Sequence, residues 1–328
     1  MRKLLYLIPL FIFGCKTTTK VTDVATTSNE VVKSASSFNY RVDEKSVAQT
    51  LKTLTSDDFE GREAGTAGTN KAGAFLEQLL VEYQVKPYFQ SFRDTLSNFK
   101  NTTFNVVGYI EGNDPVLKNE FIVLGAHYDH IGISKDGGIN GDKINNGAND
   151  DASGVTAVAE IAKYFGKNKT NKRSILVVFF TAEEVGLLGS VHLAEKLKKR
   201  KFNLYSMLNF EMIGVPMRAD YTAYITGFSR SNMATKINEY AGKKLVGYLP
   251  MEFQYQLFMR SDNYPFFQEF SVPCQTVCTF DFENYPYYHH VDDEFELMDT
   301  KHMTSFIQDV LPVVEKMANS TTKEIVLK

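Results

Sequence analysis

An α/β fold with a mostly parallel central sheet and helices on both faces is what three features of this 328-residue sequence predict. Strand-like runs such as Ile175-Leu176-Val177-Val178-Phe179-Phe180 are apolar without interruption, as in strands buried on both faces. These runs alternate with helical patterns, the order expected when helices cross over between parallel strands. Acids and histidines follow directly on several of the runs, at the edge where open α/β sheets gather their ligands.

The elements emerge in order along the chain. Gly68–Tyr83 carries Ala72, Leu76, Leu79 and Leu80 at helical spacing, and Phe104–Ile110 and Phe121–Ala126 follow as strands. Ala152–Phe165 repeats the helical pattern through Val155, Val158 and Ala162, before the strand Ser174–Phe180. Helix Gly189–Lys198, strand Ser206–Phe210, strand Tyr221–Ile225 and helix Ser231–Ala241 come next. Helix Asn263–Phe270, strand Cys274–Phe280 and helix Lys301–Ala318 complete the set. No Gly/Pro/Ser-rich linker or internal repeat interrupts them, so residues 40–320 are expected to form a single domain.

The apolar fraction of 43% and the 25 Phe supply a substantial core. A net charge of −3 leaves no basic footprint, which argues against a nucleic-acid partner. Arg2-Lys3 and the apolar run Leu4–Phe13 read as a signal peptide over residues 1–14, since about 20 apolar residues are needed to span a bilayer. Ile12-Phe13-Gly14-Cys15 resembles a bacterial lipoprotein cleavage box. Residues 15–39 are then an acylated Cys15 and a flexible tether, and the expected location is extracytoplasmic, anchored to a bacterial membrane. Cys274 and Cys278 lie four apart in a predicted strand, about 13 Å from one another. That is too far for a disulfide, so buried thiols are expected.

Five segments then place metal-binding side chains beside glycines or a second acid: Gly125–Asp129, Gly147–Gly154, Thr181–Leu187, Asn209–Gly214 and Tyr288–Asp293. Taken alone, each has a plain reading. His127 can be a strand-end histidine bonded to Asp129, and Asp151 or Ser153 can simply cap the helix that follows Asp150. Taken in order, the set offers ligands for two zinc-like ions and one acid left over to move a proton. Glu183-Glu184 is the sharpest local signal, because adjacent acids after a core strand point in different directions.

With these motifs, and with Ser56–Thr66 as a lead-in, the chain resembles the co-catalytic zinc aminopeptidase family over about Leu54–Ala318. That family includes secreted leucine aminopeptidases and, more distantly, glutamate carboxypeptidase II, the transferrin receptor and animal-type glutaminyl cyclase. The resemblance implies a zinc exopeptidase-like fold and two Zn2+ ions bridged by Asp150. His127 and Glu211 would complete one zinc, and Glu184 and His289 the other. It implies Glu183 as general acid/base, Asp129 as the carboxylate behind His127, and a cis bond between Asp150 and Asp151; Tyr288 is read as an oxyanion donor. The implied activity is removal of N-terminal residues from peptides by a hydroxide bridging the two zinc ions. The alternatives are a single-zinc glutaminyl cyclase of the same fold and a catalytically silent binding module. The chain departs from the family at Glu211, where Asp is usual, and at Arg260-Ser261-Asp262-Asn263, where Ser-Asp-His is usual. Phe253, Tyr255, Phe258, Tyr285 and Tyr287 are candidates for an apolar substrate pocket.

Overall fold

The structure, a computed structural model, describes residues 38–135 and 138–328. The signal segment, Cys15 and nearly all of the tether lie outside the described residues. One compact unit spans Tyr40–Lys328. It runs past the expected limit at 320: Ile325 is buried with its N–H 2.9 Å from the Tyr205 hydroxyl, and Leu327 bridges Ser231. No helix among the described residues is long and apolar enough to cross a membrane.

The helices and strands, in chain order, are α1 (Glu44–Leu54), α2 (Ala67–Glu82), β1 (Lys86–Pro87), β2 (Arg93–Thr95), β3 (Phe104–Ile110), β4 (Phe121–His127), α3 (Gly154–Asn168), β5 (Ser174–Phe180), α4 (Leu188–Lys199) and β6 (Leu204–Glu211). They continue with β7 (Ala223–Ile225), α5 (Met233–Ala241), β8 (Val246–Gly247), α6 (Met251–Tyr255), α7 (Asn263–Phe270), β9 (Cys274–Cys278) and α8 (Thr300–Asn319). All the strands join one nine-stranded sheet in the order β1-β3-β5-β4-β6-β9-β7-β8, with β2 also paired to β3.

The parallel part of the sheet is its middle, β5-β4-β6-β9. The flanks are antiparallel where β3 meets β5 and β7 meets β9, so the sheet is mixed, with parallel pairing confined to its centre and the short β7–β8 ladder. An apolar run reports burial on both faces but not strand direction, which is why β3 was indistinguishable from its neighbours in sequence. On one face Val123, Leu176, Val178, Phe180 and Met207 pack with Leu193, Ala194 and Leu197 of α4 and Phe266 of α7. Ile122, Leu124, Ile175 and Val177 alternate to the other face, where α3 lies across β4, β5 and β6 with α1, α2 and α8 around it. Both Cys274 and Cys278 are free and buried.

Candidate metal centre

The parallel centre of the sheet aligns the carboxyl ends of three strands. His127 is the last residue of β4, which lies between β5 and β6. Neighbouring strands are about 4.8 Å apart, so Glu183-Glu184, in the turn after β5, and Glu211, the last residue of β6, arrive on either side of it. Asp150 reaches in from the loop before α3, through an Asp150–Asp151 bond that is cis. His289 comes from the loop after β9. His127, Asp150 and Glu211 are buried, whereas the His289 side chain stays 35% exposed.

Asp150 divides its two oxygens. Oδ1 lies 3.1 Å from His127 Nε2, which is 3.6 Å from Glu211 Oε2. Oδ2 lies 3.1 Å from His289 Nε2, which is 3.0 Å from Glu184 Oε2. Zinc takes such ligands at about 2.0–2.2 Å in tetrahedral geometry, which sets ligand atoms roughly 3.3–3.6 Å from one another. The residues therefore fit two ions that share Asp150.

Charge makes the same demand. Burial opposes ionisation of Asp150, yet the hydrogen bonds from His127 and His289 outweigh it and hold the carboxyl well below the usual carboxylate range. Burial likewise opposes protonation of His289, but Asp150 and Glu184 push that imidazole up to about 10. A carboxylate cluster this buried needs positive charge among it. Glu183 behaves differently: burial, with the charges of Glu211, Asp262 and Glu184, raises it well above an ordinary carboxyl, against the pull of His127.

Around the ligands stands a frame of side chains holding backbone. His127 Nδ1–H donates to the backbone carbonyl of Asp129 at 3.1 Å. The Asp129 carboxylate stands behind His127, its Oδ1 3.8 Å from that nitrogen, and it also accepts the N–H groups of Glu183 at 3.2 Å and Glu184 at 3.4 Å. Those are the free donors of the turn after β5, so Asp129 fixes where the two glutamates emerge. Asp293 accepts the N–H groups of Asn149 and Asp150 at 2.8 and 3.1 Å. Asp151 accepts from Gly154 N at the start of α3 and from Met212 N just after Glu211, at 3.1 and 2.9 Å. One acid beside Asp150 thus does cap the helix, and it also ties the helix to the end of β6.

Three contributors went unread in the sequence. His130 is buried, with Nδ1 2.9 Å from Glu184 Oε1, the oxygen turned away from His289. Its ring packs so closely on Gly147 that a Cβ there would lie 2.6 Å from it, and Gly147 has φ +55°. Arg62, 0% exposed, donates to the carbonyls of Tyr128, Leu54, Asn146 and Gly147. The Ser261 hydroxyl donates to Glu211 Oε1 at 2.6 Å, steadying the longer arm that stands where Asp is usual. Arg62 and Ser261 lie within the segments Ser56–Thr66 and Arg260–Asn263 that carry the resemblance, and His130 directly follows Asp129, but none of these positions shows in sequence which atoms its side chain meets.

A cavity of about 120 Å³ opens onto this cluster, walled by Met212, Tyr224, Leu257, Phe280, Phe282 and Tyr288 beside Glu183 and Glu211. The Tyr288 ring stacks on His289 at 3.9 Å, and burial raises its phenol above the ordinary value. None of the five aromatics expected to line a pocket lines this one, although Tyr285 and Tyr287 line a separate cavity with Val215, Pro216 and Leu297. Phe258 is core, Phe253 is 83% exposed, and Tyr285 is spent on a 2.7 Å bond to Asp293. Asn263, standing where His is usual, is buried and ties Phe258 O and Cys274 O together, so it pins α7 to the sheet and does not line the cavity. His290 turns away towards Asp292.

A mixed α/β sheet with acids and histidines gathered around one shared carboxylate defines a zinc-peptidase-like fold. Residues 105–314 match the model of peptidase family M28, and the chain belongs to that family. Leucine aminopeptidase 2 of Arthroderma otae is 32% identical over 161 residues, which are 48% of this chain and 29% of that protein. The chain spans about a third or less of the length of this relative and of a similar one from Trichophyton verrucosum. The LapA aminopeptidase of Legionella pneumophila shares the fold at a TM-score of 0.67 and 22% identity, over 86% of this chain and 73% of that one. A glutaminyl cyclase of Bacteroides thetaiotaomicron does so at 0.64 and 19%, over 86% and 99%.

Proposed function

We propose that the protein is a zinc-dependent aminopeptidase that removes N-terminal residues from peptides and holds two Zn2+ ions. The observation that carries this is the division of Asp150 between His127 and Glu211 on one side and His289 and Glu184 on the other. Zinc in such sites lowers the pKa of water and polarises a carbonyl. Glu183 lines the cavity with a raised proton affinity, so it takes the proton of the attacking water and passes it to the leaving amine. The Tyr288 phenol, kept protonated by burial, donates to the developing oxyanion. Asp129 acts through the turn that presents Glu183 and Glu184. The sequence of residues 1–15 supports secretion and anchoring to a bacterial membrane through acylated Cys15, with the catalytic domain on the extracytoplasmic side.

The test is Glu183→Gln in the zinc-loaded protein. Elemental analysis should still find two zinc ions per chain, while kcat on leucyl peptides falls about 10²–10⁴-fold. Undiminished turnover would remove Glu183 from the mechanism. One zinc per chain, with loss of ammonia from N-terminal Gln substrates, would make the protein a cyclase; inertness of the zinc-loaded wild type towards all such substrates would make it a binding module.

A further inference from the structure

Resting on the aminopeptidase reading, one residue of the cavity has no part in the metal chemistry. Arg260 lines the cavity and is at the same time exposed, so it stands at the mouth. It is the only lysine or arginine among the lining residues, in a site otherwise crowded with Asp150, Glu183, Glu184 and Glu211. Its guanidinium makes no hydrogen bond or ion pair with any described residue. A free α-amine needs acceptors, which the carboxylates supply and a guanidinium does not. A guanidinium offers a planar pair of donors that matches a carboxylate.

Size decides where that carboxylate sits on the substrate. The volume of about 120 Å³ is well below the roughly 300–1,000 Å³ of pockets that enclose whole drug-sized ligands, so the cavity takes one side chain. Its walls at Met212, Tyr224, Leu257, Phe280 and Phe282 fit an apolar side chain and carry no cation to meet an acidic one. Whatever follows the scissile bond must leave through the mouth, past Arg260. In a dipeptide that next residue bears the terminal carboxylate; each added residue moves it about 3.5 Å further away. We propose that Arg260 binds the C-terminal carboxylate of dipeptides with an apolar first residue, which makes dipeptides the preferred substrates of this site.

The experiment compares kcat/KM of the zinc-loaded protein on Leu-Leu, Leu-Leu-amide, Leu-Leu-Leu and Glu-Leu, for wild type, Arg260→Gln and Arg260→Lys. Amidation and chain extension should each lower wild-type kcat/KM at least about tenfold, the worth of a charge-assisted contact. That ratio should collapse towards one in Arg260→Gln and return in part in Arg260→Lys. Equal wild-type rates on acid and amide would overturn the inference while leaving the aminopeptidase reading intact. A ratio that survives Arg260→Gln, or an Arg260-dependent preference for Glu-Leu over Leu-Leu, would overturn it equally. No hydrolysis of any of the four would refute both readings.

Discussion

Replacing Arg62 by Lys asks how far the ligand loops depend on one buried guanidinium. Arg62 Nε lies 2.8 Å from Tyr128 O, Nη1 lies 2.6 Å from both Leu54 O and Asn146 O, and Nη2 lies 3.0 Å from Gly147 O. Tyr128 adjoins His127, and Asn146-Gly147 lead into Asp150, so the side chain joins two ligand loops to the end of α1. Burial pulls its pKa down to about 10, against the charges of Asp293, Asp150, Asp129 and Asp151. It therefore stays charged at neutral pH. Lysine keeps the charge but brings three donors on a single atom, and four carbonyls need them. Gly147 O keeps a second donor, Ala152 N at 3.3 Å, but one ammonium cannot span Tyr128 O, Leu54 O and Asn146 O as the guanidinium nitrogens do; a buried carbonyl that loses its donor costs about 1–3 kcal/mol. With an m-value near 3 kcal/mol/M in urea, the unfolding midpoint of the chelator-treated protein should fall by roughly 0.3–1 M. Because the loops carry His127 and Asp150, zinc affinity in a chelator competition should fall about tenfold or more. A variant whose urea curve and zinc affinity both overlay the wild type would show that Arg62 only fills space.

Two other expectations concern neighbours of the same frame. His130→Ala leaves Glu184 Oε1 without its donor, so zinc held through Glu184 and His289 should bind about 10–100-fold less tightly; an unaltered competition titration would exclude this role. Glu294 has its carboxyl pushed up to about 7 by burial and by Asp142, Asp57 and Glu296, against the pull of its bond from Asn146. Its folded pKa lies above the unfolded value of about 4.3, so the folded state binds more protons and stability falls as pH rises between those two values. Glu294→Gln should therefore match the wild-type Tm below about pH 4.3 and exceed it by a growing margin up to about pH 7. Parallel Tm profiles across that range would contradict the shift.

Much of this was legible because burial on both faces leaves a plain mark. Phe104–Ile110, Ser174–Phe180 and Asn263–Phe270 have the limits the sequence indicated. The segments around His127, Asp150, Glu183-Glu184, Glu211 and His289 do converge, because parallel strands bring their carboxyl ends to one edge. What stayed hidden depends on tertiary neighbours. The two- and three-residue strands β1, β2 and β8 are too short to show a period. Helix α1 lies outside the elements the sequence indicates, although Val47, Leu51 and Leu54 share its buried side. His130, Arg62 and Asp293 act through atoms supplied by distant segments, so no local pattern marks them. The aromatic candidates lie away from the cavity at the cluster for a related reason: whether a ring is exposed or buried is decided by the surface it meets, and Phe253 is 83% exposed.

The margins of the sheet deserve a last consequence. One side of the sheet ends in β1, two residues long and closed by Pro87 without an N–H, together with the three-residue β2; the other ends in β8, only Val246-Gly247. Neither presents a run of open backbone on which a foreign strand could build. Growth by strand addition is thereby disfavoured at both sides.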